Sequence, residues 1–216
     1  MQRKRDLSEK FLRFFHFRKE EEESEEPEEH EAPVEPEKSK SSSPKYRYLK
    51  MKLPVERITP EFEKKIEKEI HSQVKIRECK TEEDLEVVLH LYNRSFMAAS
   101  DPFSPLNLDQ IKQIANYGNT RIFIASLWGE DTGFVIIDFE YKKDEDLRIG
   151  VICGLGTLPR WQRRGIGTTL GIYTWQHFKP ANVDELRCEV FDKNEGSISL
   201  IKGLGFEQYG EVVYEY

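Results

Sequence analysis

The stretch Gly154-Leu155-Gly156-Thr157-Leu158-Pro159-Arg160-Trp161-Gln162-Arg163-Arg164-Gly165-Ile166-Gly167-Thr168 carries more information than the rest of the 216-residue chain. The apolar run Ile149 to Leu155 reads as a strand, and Pro159 stops it in a loop. The segment Ile166 to Phe178 holds Leu170, Tyr173, Trp175 and Phe178, with Pro180 just beyond, which suits a helix ending there. Glycines at a strand-to-helix turn leave several backbone N–H groups pointing one way, at a helix start that carries partial positive charge. Arg163 and Arg164 add two cations. The pattern describes a receptor for a pyrophosphate.

Two other phosphate motifs are excluded. A P-loop requires Gly-x-x-x-x-Gly-Lys-Ser/Thr, and no lysine stands at that place. Gly165-x-Gly167-x-x-x-Gly171 resembles a dinucleotide fingerprint, but that fingerprint opens the first of two βαβ halves. Only 45 residues follow Gly171, too few for the remainder. A second stretch narrows the reading. Leu186-Arg187-Cys188-Glu189-Val190-Phe191 alternates like a strand. After it, Asn194 is placed to cap a short helix, Leu200 and Leu204 lie one turn apart, and Gly205 is placed to end it before Phe206.

Gln162-Arg163-Arg164-Gly165-Ile166-Gly167 matches the Gln/Arg-x-x-Gly-x-Gly/Ala order of the GNAT superfamily of acyl-CoA-dependent N-acetyltransferases. The strand, asparagine, helix and Leu-Gly-Phe ending resemble the close of the same fold. The resemblance covers about residues 75–216. It implies an α/β fold: a GNAT-type mixed, mainly antiparallel twisted sheet with helices on both faces and splayed parallel central strands, 148–157 and 185–191. It also implies acetyl-CoA as co-substrate. The pyrophosphate would lie on Gln162, Arg163, Arg164, Gly165, Ile166, Gly167 and Thr168, the pantetheine arm along Leu155 and Thr157 like an added strand, and Asn194 beside it. Backbone N–H near Leu155 would face the thioester carbonyl.

The chain departs from the family where protons move. A tyrosine often follows the helix leucine and protonates the leaving sulfur; here that position is Ile201. A glutamate upstream on the phosphate-loop strand often acts as base through water; here it is Val151. Substitutes are Tyr209 and Tyr214 near the last strand, and Glu189. Asp138 and Glu140 share one face of strand 132–141 and are weighed equally against a solvated strand end. The implied activity is transfer of an acetyl group to a primary amine on a protein, peptide or small molecule, by direct attack in a ternary complex. A non-catalytic acyl-CoA-binding module with a partner-recruiting tail is the alternative.

Composition bounds the rest. Net charge is −7, and residues 75–216 carry 16 Lys/Arg against 22 Asp/Glu, which argues against general nucleic-acid binding and favours a cationic amine acceptor. Cys79, Cys153 and Cys188 are odd in number and lack metal spacing, so they read as reduced thiols of a cytoplasmic protein without a metal. No apolar run is long enough to span a bilayer, so stable membrane insertion is not expected. Monomer and homodimer remain equally open. Residues 1–44 read as a disordered tail, basic over 1–19 and then carrying eleven glutamates and three prolines over 20–38. Residues 45–74 read as an extension with a short strand, loosely alternating and suited to a sheet edge, and a helix begun by Thr59-Pro60. Later strands are expected at 120–127, 132–141 and 211–216.

Overall fold

A computed structural model describes residues 45–215, and the tail expected over 1–44 lies outside them. Seven strands form one sheet: β1 Lys45–Pro54, β2 Val74–Glu78, β3 Arg121–Leu127, β4 Glu130–Lys142, β5 Leu147–Thr157, β6 Glu185–Phe191 and β7 Glu207–Glu215. Five α-helices join them: α1 Pro60–Glu67, α2 Glu82–Met97, α3 Leu108–Ala115, α4 Ile166–Phe178 and α5 Glu195–Gly203. The strand order is β2-β3-β4-β5-β6-β1-β7, with β5 and β6 parallel and every other pair antiparallel.

Local chemistry sets the helix starts. Thr81 and Asp84 form a reciprocal capping box at α2, and Asn107 and Gln110 form another at α3. Thr59 accepts from the Phe62 N–H ahead of α1, and Asn194 accepts from the Ser197 N–H at 3.0 Å ahead of α5. Helix α4 differs, because its N-cap is Gly165 at φ 74° and no side chain caps it. The helices cover both sheet faces. Phe134 of β4 meets Tyr92 and Phe96 of α2, while the adjacent Gly133 lies against Ile166 and Leu170 of α4. Helix α5 packs on α4 at Gly167 and Gly171 through Leu200 and Leu204.

The first strand departs from expectation. It does not lie at an edge; it runs between β6 and β7, hydrogen-bonded to both. Tyr48, Met51 and Leu53 are all buried, and Tyr48 projects to the opposite face from the other two. The loose alternation that suited a sheet edge is burial on both faces. The last strand likewise begins at Glu207, four residues before its expected start, because it pairs with Lys52 and Met51 at the far end of β1.

β5 and β6 pair only from Ile149↔Glu185 to Ile152↔Cys188, although β5 continues to Thr157 and β6 to Phe191. The cause is local. In the β4–β5 ladder Ile137 faces Ile152 and the next residue, Ile136, faces Gly154, so Cys153 is an extra residue in β5. Such a bulge bends the strand and increases its twist. The bend opens the sheet between its two parallel strands.

Candidate active site

A cavity of about 700 Å³ lies beside the opened strands. Leu155, Thr157, Gln162, Arg163, Gly165, Ile166, Gly167, Thr168 and Asn194 all line it. The chain enters α4 through two left-handed residues, Arg163 at φ 61° and Gly165 at φ 74°. The first costs about 1–2 kcal/mol for a residue with a Cβ and the second suits glycine. Gln162 Nε2 donates to the Thr157 carbonyl at 3.3 Å and ties the turn to the end of β5. The uncapped start of α4 presents its first amides to this cavity, where an anion is favoured. Gly167 has a different duty from Gly165: a Cβ there would stand 3.1 Å from Leu200, so it permits α4 and α5 to approach.

Arg164 is not brought to the cavity. Its guanidinium stacks 5.2 Å from the Trp161 ring centroid and 5.8 Å from that of Trp128. Asn194 has a split role, accepting from Ser197 through its carbonyl and donating through its amide to Asp101. Ser100 Oγ donates to the Lys193 carbonyl at 3.2 Å, so the loop after α2 is pinned to the start of α5. Two of the three buried side-chain polar atoms without a hydrogen-bond partner among the described residues, Ser95 Oγ and Trp161 Nε1, belong to residues lining this cavity. Buried polar atoms are nearly always satisfied, so such a concentration suits a polar ligand.

A smaller cavity of about 110 Å³ adjoins the first and shares Phe96, Leu155, Ser197 and Leu200 with it. Tyr48, Tyr92, Asp101, Cys153, Cys188, Glu189 and Ile201 are among its other walls. Tyr214 Oη donates to Glu189 Oε2 at 2.9 Å, bringing two of the three sequence-derived proton-transfer candidates together. Of the three, Glu189 lines the smaller cavity, while Tyr214 and the third, Tyr209, line neither. Tyr209 is exposed on the sheet, 5.2 Å from the Arg187 guanidinium and 5.8 Å from Lys52 Nζ, because the β7 register sets it beside Arg187, where β5 and β6 still pair. Asp138 likewise lines neither cavity: it is 1% exposed, accepting from Thr120 Oγ1 at 3.0 Å and from the Phe139 N–H.

Burial pushes the Asp101 carboxyl upward, opposed by the Asn194 hydrogen bond. It also pushes the Cys153 and Cys188 thiols far upward, which leaves neither as a thiolate near neutrality. Sequence reasoning missed Tyr48, Tyr92 and Ser95. Nothing in their local pattern marks them, since each reaches the site from a segment distant from both motifs.

A profile of the Acetyltransferase (GNAT) family matches residues 85–206. The chain belongs to the GNAT acetyltransferase family. No match occurs among curated proteins. Solved GNAT structures share the fold with this enzyme at low identity. An aminoglycoside acetyltransferase from an uncultured soil metagenomic sample, in complex with sisomicin, aligns at 22% identity and TM-score 0.55, covering 67% of this chain and 95% of that one. The aminoglycoside N-acetyltransferase AAC(6')-Iy in complex with CoA aligns at 20% identity and TM-score 0.54, covering 68% and 95%. The ribosomal-protein-S18-alanine N-acetyltransferase from Escherichia coli aligns at 20% identity and TM-score 0.51, covering 63% and 79%. In this GNAT acetyltransferase the matched region spans α2 through α5, and β1, α1, β2 and β7 lie outside it.

Proposed function

We propose that this acetyltransferase binds acetyl-CoA in the larger cavity and transfers its acetyl group to a primary amine in the smaller one, by direct attack in a ternary complex. One observation carries the reading: the cavities meet at Leu155, beyond Ile152 where the β5–β6 pairing ends, with an uncapped helix start at one end and Glu189, hydrogen-bonded by Tyr214, at the other. The coenzyme supplies the acyl group as a thioester. Arg163, the amides at Gly165–Thr168 and the β5 backbone at Leu155 and Thr157 hold and orient it. Backbone N–H near Leu155 favours the carbonyl oxygen as it becomes negative.

Glu189 takes the proton that an ammonium must lose before it can attack, and Tyr214 holds Glu189 in place. Solvent or the Tyr214 hydroxyl returns a proton to the departing sulfur. The acidic charge balance supports a cationic acceptor rather than nucleic acid, and the free cysteines Cys79, Cys153 and Cys188 support a cytoplasmic setting. No helix of the described residues is long and apolar enough to cross a membrane.

Thiol release from acetyl-CoA, followed across a panel of primary amines, tests the reaction. Glu189→Gln should lower turnover by roughly 10²–10⁴-fold while coenzyme affinity holds. Unchanged turnover in that variant would place the base elsewhere. Ile201 at the family's tyrosine position favours one second reading, a coenzyme-binding module without turnover. That reading requires tight coenzyme binding and no thiol release with any amine.

A further inference from the structure

The larger cavity has a wall that neither motif supplies. Phe62, Lys65, Ile66 and Glu69 line it from α1 and the turn that follows, before the region matched by the family profile begins. This wall is anchored at three places. The Glu63 carboxylate accepts from Trp175 Nε1 at 2.7 Å and from Lys179 Nζ at 2.8 and 3.0 Å. The His71 N–H donates to Thr169 Oγ1 at 3.0 Å. The Phe62 ring fills the space over Gly205, where a Cβ would stand 2.8 Å from it. The end of the wall reaches the start of α4: a Cβ on Gly165 would lie 3.7 Å from His71 Cβ and 4.0 Å from the Glu69 carbonyl oxygen.

Charge makes this wall more than a cover. Arg164 is held on Trp161 and Trp128, which leaves Arg163 as the one arginine lining the cavity among the described residues. Lys65 is the other cation there; it is exposed and stands in no ion pair among the described residues. Glu69, four residues on, is the single carboxylate lining the cavity among the described residues. An ammonium on a flexible four-carbon stem suits a phosphate whose position is already set by a backbone turn.

We propose that α1 is the outer wall of the coenzyme site and that Lys65 binds a coenzyme phosphate from the side opposite Arg163. This rests on the proposed coenzyme reading. The chemistry required is a phosphate dianion or diester within reach of the α4 start, which the pyrophosphate and the 3′-phosphate of coenzyme A both present.

Calorimetric titration of the full chain with coenzyme A tests it, using Lys65→Ala, Lys65→Glu, Lys65→Arg and, as benchmark, Arg163→Ala. Lys65 is exposed, so melting temperature should hold in every Lys65 variant. Lys65→Ala should weaken binding about tenfold, the scale of one charge-assisted hydrogen bond. Lys65→Glu should weaken it further and Lys65→Arg should retain most of it. Glu69→Gln should tighten it. Titration with dephospho-coenzyme A then separates the two sources. A Lys65→Ala loss that persists assigns the pyrophosphate, and one that vanishes assigns the 3′-phosphate; each upholds the site. If wild type binds and Arg163→Ala weakens binding but Lys65→Glu does not, the inference is overturned and the coenzyme reading survives. If wild type does not bind coenzyme A, the reading beneath it fails first.

Discussion

Ile201 is 5% exposed and lines the smaller cavity beside Leu200 and Glu189. A thiol leaving group has a pKa of about 8.5, so its departure near neutrality tolerates the lack of a dedicated acid. Ile201→Tyr would direct a phenol toward the cavity. Turnover in that variant, measured as thiol release, should rise or stay level with coenzyme affinity intact. Abolished turnover in a folded, coenzyme-binding variant would mean that the acceptor or acyl group occupies the volume. Glu189 and Tyr209 were equal candidates by residue type. Strand geometry separates them, directing Glu189 into the opened strands and Tyr209 onto a bed of Arg187 and Lys52.

One of the three anchors of helix α1, the Glu63 clasp, has a pH dependence fixed by its chemistry. Hydrogen bonds from Lys179 and then Trp175 hold the Glu63 carboxyl below the ordinary glutamate range. A depressed folded value contributes stability above the unfolded value, and that stability is lost as pH falls through the folded one. Glu63→Gln should therefore lower stability by about 1 kcal/mol near neutrality, a melting shift of about 2–4 °C. The gap from wild type should close as pH drops below the ordinary glutamate range. Melting curves at neutral and acid pH check this, and a gap that persists in acid would assign the clasp to packing. The bulge at Cys153 is the other element-scale device. No residue type announces it, because an extra residue in one strand exists only relative to its partner.

Across the whole molecule, β1 holds β6 and β7 together, since those two strands share no direct ladder and both pair with it. A chain beginning at Pro44 should keep its melting temperature and thiol-release rate, because residues 1–43 are too polar to add a core. A chain beginning at Arg57 lacks β1. It removes buried Tyr48, Met51 and Leu53 and exposes two strand edges, so it should not fold cooperatively. Circular dichroism and thermal melting of the two chains decide the matter; equal melting would reduce β1 to an accessory strand. The sequence by itself determined the helix starts at Thr59 and Asn194, the turn from β5 into α4 and the family, because each is written in residues within a few positions of one another. Only the tertiary structure decided that β1 is interior, that Tyr214 meets Glu189 while Tyr209 does not, and that Lys65 rather than Arg164 lines the cavity with Arg163. Those outcomes join segments from opposite ends of the described chain, as the pairing of Lys45 with Glu215 across β1 and β7 illustrates. Their register is chosen by the burial and ladder bonding of the sheet as a whole, which no local window of residues contains.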